Sequence, residues 1–412
     1  MYHPPHEEES HSTILQQCDD SGGRSRDTSQ QSQEKEDVEG QDQRKVGLRE
    51  RLKHFTWAWF TGTMSSGGIG ILLAQTPHRF RGLYTIGVVV FIFHLAFFVL
   101  LCSLMATRAF LHPRHFLRSL IRPVECFYVG SFWLSIATII GCIQEYGITL
   151  GPERDWLITA VRVLFWIYTG VTMLSSWLQF FWFFRTTPQN VHAMNPAWLI
   201  PAYAPMLTGT IAAVIAPYQP SRSRMPIIVA GVSYQGFGYC SSFLLVTIYF
   251  IRLINSGLPM RDQRPGMFFP VGFIGYTITA LTGLSQAVPR DYGYFAAHPS
   301  AADTVATMAL WTGIFLWVFG FFLFSLAVIA CVESIPKMGF TLAWWAFVFP
   351  NIGFTLATIN IGTQLGSEGI LWVTSIMTIL LVVIWLFGFG ALVRAVWIKR
   401  IMWPGRDDDK DI

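Results

Sequence analysis

The sequence predicts an all-α integral membrane protein with ten transmembrane helices arranged as five helical hairpins. Three observations carry that expectation. The 412-residue chain is 52% hydrophobic but only 13% charged, where a soluble domain is about 25% charged. From Phe55 onward, apolar segments long enough to cross a hydrocarbon core of about 30 Å follow one another with short polar interruptions. The segments also repeat with a period of about 70 residues, two helices to each repeat.

Residues 1–50 are polar and charged, with EEES and QQSQEKED and almost no aromatics, and are expected to form a disordered cytosolic tail. No apolar run follows Met1, so the first apolar segment is expected to act as the insertion signal. The ten segments span approximately 55–74, 83–106, 125–144, 156–184, 195–216, 225–254, 265–288, 304–333, 340–362 and 369–398. They belong to one transmembrane unit over 51–400, with a short cytosolic tail over 401–412. Each must be a helix, because an isolated strand cannot satisfy its backbone in lipid.

The odd segments are shorter and carry glycine, proline and hydroxyl residues: TGTMSSGGIG in the first, NPAWLIPAYAP in the fifth, GFIGYTITALTG in the seventh and FPNIGF in the ninth. The even ones are longer and richer in Leu, Val, Ile, Phe and Trp, as in VVVFIFHLAFFVLL. Small, kinked segments suit an inner ring and long aromatic ones a lipid-facing outer ring. Lys and Arg orient the chain. The four loops on the side of the amino terminus hold nine of them, and the five opposite loops six. Arg44, Lys45, Arg49, Arg51 and Lys53 flank the first segment, and Arg394, Lys399 and Arg400 end the last. Both termini are then cytosolic, as an even number of crossings requires.

The most informative stretch is AWWAFVFPNIGF at 343–354. Pro350 removes a backbone donor, so a helix there should break between Phe349 and Asn351. In lipid the freed carbonyls cost several kcal/mol unless they face protein or a watery cavity. The break therefore suits a pathway with the Phe349 ring as a plug, or else an ordinary kinked helix in a bundle. Asn351, Thr355, Thr358 and Asn360 follow on the same segment. Further hydroxyls on the presumed inner ring are Thr61, Thr63, Ser65 and Ser66 in the first segment, and Ser131 and Ser135 in the third. The fifth segment adds Tyr203 and Thr208, and the seventh Tyr276 and Thr279. Hydroxyls and the free amides of broken helices stabilise anions.

Charge is scarce within the segments. Glu125, Glu145, Glu333 and Glu368 sit near segment ends, so no central carboxylate is available to bind a bare cation or proton. Arg162, about two turns inside the fourth segment, either attracts an anion or snorkels from the outer ring. His94 suits a packing role, and His112 and His115 suit an interfacial loop better than a metal site. The six cysteines show no paired spacing and are expected to be packing residues. The net charge of +4 is spread over tails and loops, which argues against a nucleic-acid partner. No GxSxG, HExxH, Walker loop or paired CxxC is present, and no cluster of His, Cys or carboxylates suggests an enzyme or a cofactor.

RLKHFTWAWFTGTMSSGGIG at 51–70, NPAWLIPAYAPM at 195–206, RDQRPGMFF at 261–269 and WWAFVFPNIGF at 344–354 resemble the tellurite-resistance/dicarboxylate transporter family, and within it the fungal malic acid transport proteins. Its plant members are slow-type anion channels. The resemblance covers about Arg51 to Arg400 and implies five hairpins around a central pore, commonly assembled as a trimer. It also implies occlusion of that pore by a phenylalanine preceding a proline, here Phe349 and Pro350. Fungal members carry malate and related C4-dicarboxylates across the plasma membrane with protons, as the monoanion. Relatives often have a histidine ahead of the proline that opens the third helix, where this chain has Arg122 before Pro123, which leaves substrate choice open. The expectation is a plasma-membrane dicarboxylate carrier, with a passive anion channel or a sulfite exporter on the same scaffold as the alternative.

Overall fold

The computed structural model describes residues 47–122, 125–151, 154–185 and 190–403. Most of the expected amino-terminal tail, the stretch 404–412 and Pro123 lie outside the described residues. Ten long helices organise the rest. They are α1 (Phe60–Gln75), α2 (Leu83–Leu111), α3 (Val129–Gln144), α4 (Asp155–Arg185), α5 (Ile200–Ile215), α6 (Ser221–Ser256), α7 (Phe269–Gln286), α8 (Pro299–Ser334), α9 (Phe349–Leu365) and α10 (Glu368–Trp397). No strand occurs among the described residues.

The protein is an all-α membrane protein. Nine of its helical stretches are long and apolar enough to cross a membrane, counted over the described residues. The exception is α1, whose 16 residues FTGTMSSGGIGILLAQ carry the glycines and hydroxyls noted above. It is enclosed by protein instead, and all of it except Ile71 and Gln75 is buried.

Burial alternates along the chain as the two compositions predict. Between 61% and 89% of the membrane-length window is buried in the stretches containing α3, α5, α7 and α9, against 22% to 33% in the five even helices. Consecutive helices pack as the pairs α1–α2, α3–α4, α5–α6, α7–α8 and α9–α10. The odd helices also pack in the order α1, α3, α5, α7, α9, and α9 returns to α1, which closes a ring of five. The even helices present Ile, Leu, Val, Phe and Trp outward, among them Phe315, Trp311 and Phe387.

Each inner helix is preceded by a 3₁₀ turn, at Trp57–Trp59, Cys126–Tyr128, Pro196–Leu199, Arg261–Phe268 and Leu342–Phe347. The expected break at Pro350 takes this form. The chain turns at Val348, and α9 starts afresh at Phe349 with Pro350 in its first turn, where the missing N–H would have had no helical partner anyway. The break therefore falls just ahead of Phe349. Tyrosine clasps hold the ring at this and similar levels. Tyr276 donates to the Phe349 carbonyl at 3.0 Å, Tyr203 to that of Phe269 at 2.6 Å, and Tyr168 to that of Ala204 at 2.5 Å. In all three cases the acceptor immediately precedes a proline.

Glycine permits a close approach between α7 and α9. A Cβ at Gly275 would overlap the backbone of Gly353 and Phe354, and one at Gly353 would lie 2.8 Å from the Tyr276 ring. At one end of the bundle, Arg108 Nη1 and Glu125 Oε1 form a buried ion pair at 2.6 Å that ties the end of α2 to the start of the third segment. Arg51 Nε donates to the Met402 carbonyl at 3.4 Å, so the described chain enters and leaves the bundle at the same face.

Candidate functional site

All five inner helices contribute to one cavity. Its walls are Gly68, Ile71 and Gln75 of α1; Ala137, Thr138 and Gly141 of α3, with Glu145 just beyond it; Leu207, Thr210, Ile211 and Val214 of α5; Tyr276 and Thr279 of α7; and Ile352 and Leu356 of α9. The volume is about 30 Å³, room for about two water molecules and too small for a dicarboxylate. The cavity is therefore closed in this conformation. Small residues create it: a Cβ at Gly68 would come within 2.8 Å of Ile352 Cδ1 and 3.4 Å of the Phe349 ring.

Phe349 lies against this wall. Its side chain is 1% exposed, and its ring centroid is 5.1 Å from that of Tyr276 at an interplanar angle of 34°. The ring thus sits where α1, α7 and α9 meet, beside three cavity residues: Gly68, Tyr276 and Ile352.

The polar groups differ in what they can offer a ligand. A hydroxyl that donates to a carbonyl keeps only its lone pairs for anything else. Thr138 donates to the Ser135 carbonyl at 2.8 Å, and Thr279 to that of Gly275 at 3.0 Å. Thr210 Oγ1 is buried and has no hydrogen-bond partner among the described residues. Gln75 Nε2 donates to Glu145 Oε1 at 2.6 Å, and both residues line the cavity.

Of the gate and substrate-path residues singled out in the sequence, Tyr276 and Thr279 line this cavity and Phe349 adjoins it. The others are placed around it. Thr63 and Ser135 bond each other at 2.6 Å between α1 and α3. Thr61 donates to Ala58 and Ser65 to Thr61, both back along their own helix. Ser66 donates to Gly62 and accepts from Trp385 of α10 at 3.0 Å, so it faces the outer ring. Ser131 and Thr208 are buried without partners among the described residues. Tyr203 serves as a clasp. Along α9, Asn351 donates to Phe347 and Thr355 to Asn351, while Thr358 accepts from Trp317 of α8 and Asn360 donates to Thr282. Asn351 Oδ1 has no partner among the described residues. Arg162 donates to Gln219 and Ser223 at 3.3 Å each, away from the cavity walls. His94 is buried beside Thr138, and His112 Nε2 pairs with the Arg49 carbonyl.

Two features escaped the sequence reading. Among the fifth-segment hydroxyls the cavity takes Thr210 rather than Thr208, on a helical face shared with Leu207, Ile211 and Val214. Glu145 reads in the sequence only as a residue near a segment end and Gln75 carries no expectation, yet they lie 70 positions apart, one repeat length, at matching places in successive hairpins. That coincidence was the available signal.

The family model described as voltage-dependent anion channel, SLAC1, matches residues 54–393. The chain belongs to this family. The SLAC1-family protein is 30% identical over 368 residues to the malic acid transport protein of Schizosaccharomyces pombe, covering 88% of this chain and 83% of that one. It is 27% identical over 370 residues to a putative malic acid transport protein of the same organism, covering 89% and 85%. A sulfite efflux pump, SSU1, of Trichophyton rubrum is 27% identical over 353 residues, covering 85% of this chain and 93% of the pump. These relatives of the SLAC1-family protein are named as transport proteins and pumps rather than enzymes.

Proposed function

We propose that this protein carries malate and related C4-dicarboxylates across the plasma membrane, as the monoanion together with a proton, along a route through the cavity that Phe349 gates. The observation that carries this reading is the closed ring of five inner helices around one cavity, with an aromatic ring beside its wall. A monoanion suits those walls. They carry Thr210, whose hydroxyl has no partner among the described residues, and Ile352 in the amino-terminal turn of α9, and no described cation that would hold a dianion too firmly to release. The malic acid transport proteins among the relatives support the substrate class.

On this reading all ten helices cross the bilayer, both termini are cytosolic and Pro350 fixes the gate's position. The 16 residues of α1 rise about 24 Å. The 3₁₀ turn before it adds about 6 Å, enough for a core of about 30 Å. Sulfite export is the second reading, favoured by the pump relatives. Uptake of labelled malate by cells lacking other carriers, at two pH values and with succinate, oxalate and sulfite as competitors, tests the choice. Acid-favoured malate uptake competed by succinate is expected. Absence of malate uptake, with sulfite-sensitive growth of a deletion strain, would assign the protein to sulfite instead.

A further inference from the structure

We infer that Glu145 is a proton-binding site within the transport route, and that an anion occupies the cavity only when this carboxylate has taken up a proton. The inference deepens the proposed function and rests on it for the identity of the anion. Glu145 begins a π-helical stretch, Glu145–Thr149, directly after α3. Such stretches recur at functional sites. The residue is 4% exposed and forms part of the cavity wall, with Gln75 Nε2 as the side-chain donor to Oε1.

No described basic side chain forms an ion pair with Glu145. Arg79, the charged group nearest on the α1 side, spends its guanidinium on the carbonyls of Ala74 and Thr76. The other titratable groups facing this region are occupied as well. Tyr146 donates to the Gly70 carbonyl, Cys142 to that of Gly67 and Tyr276 to that of Phe349. Glu145 Oε1 accepts from Gln75 and no hydrogen bond to Oε2 occurs among the described residues, which leaves Oε2 with an open lone pair for a proton.

Electrostatics then couples the two ions. A carboxylate on the wall and an anion entering the cavity once it opens repel each other with little solvent to screen them. A proton on Oε2 removes the repulsion and turns that oxygen into an O–H donor to the incoming anion. The proton comes from one side of the membrane and leaves with the anion on the other. One positive and one negative charge therefore move together, and Glu145 is returned unprotonated.

The test uses the purified full chain in lipid vesicles. Infrared difference spectra recorded against pH should contain the carbonyl stretch of a protonated carboxyl that Glu145→Gln lacks. In the same vesicles, labelled malate influx is followed at a fixed monoanion concentration, so that titration of the substrate drops out. Wild-type flux should fall by about tenfold per pH unit above the titration of Glu145, the slope of one proton. E145Q flux should vary less than about twofold over the same range. An unaltered pH dependence in E145Q, a folded but inert E145Q, or the absence of a titrating band would each overturn the inference. Should E145Q not assemble, Gln75→Leu is expected to shift the wild-type band by removing its donor, and a band that stays in place overturns the assignment. A titrating Glu145 band in a protein without malate flux would sink the proposed substrate while the proton site stands, and the flux arm is then run with sulfite.

Discussion

At the scale of the residue, Phe349 and Thr210 can be separated from the polar groups around them. Truncation of Phe349 removes a ring packed on Tyr276 beside Gly68 and opens the cavity wall at the junction of three helices. Phe349→Ala is expected to raise anion flux and weaken its dependence on the proton gradient, measured per molecule at the cell surface, because the lost packing also destabilises by about 3–5 kcal/mol. Unchanged flux at normal surface expression removes the ring from gating. Thr210→Val keeps the side-chain shape and deletes the free hydroxyl. A loss of about 1 kcal/mol of anion binding, roughly a fivefold rise in KM, is expected in concentration-dependent uptake. Ser66→Ala instead breaks the bond from Trp385 and should lower thermal stability with KM unmoved. The sequence could propose hydroxyls but not sort them. Because α1 is buried on nearly every side, no alternation of polar and apolar residues marks which face of it meets the cavity.

Among the elements, the short inner helices were legible because their composition differs from that of their partners. Glycines, prolines and hydroxyls pointed to an enclosed ring, and burial follows that division. The break beside Phe349 was legible from Pro350, but its position was not. Proline fits the first turn of a helix, so the chain turned at Val348 and began a new helix instead of kinking an existing one. Close crossings also stay hidden in the sequence, since a glycine in an apolar run looks the same whether backbone or lipid lies opposite. Gly275→Ala is expected to lower the melting temperature in detergent by the equivalent of about 1–3 kcal/mol, because the group in the way is the backbone of α9. Gly236→Ala on α6, with no atom within 4 Å of the added carbon, is the control and should melt at or above wild type.

For the whole molecule, the repeat of about 70 residues carried the five hairpins, but nothing in it specified that the last inner helix packs on the first. That contact depends on shape, in which Trp345 and Ile352 meet the glycine-rich surface of α1 at Gly62 and Gly68. The same assembly brings Arg51 to Met402. Epitope tags at the two termini should therefore be accessible from the same side of the membrane. Opposite accessibility would mean that α1 does not cross, leaving nine crossings.

Closure of α9 on α1 also constrains biosynthesis. Four hairpins inserted in order from the ribosome form only an open crescent, whose first helix exposes Ser65 and Ser66 to lipid until the fifth hairpin arrives. Chains truncated before Leu342 should consequently be retained and degraded by quality control, and a fifth hairpin expressed separately should rescue them by docking into the gap.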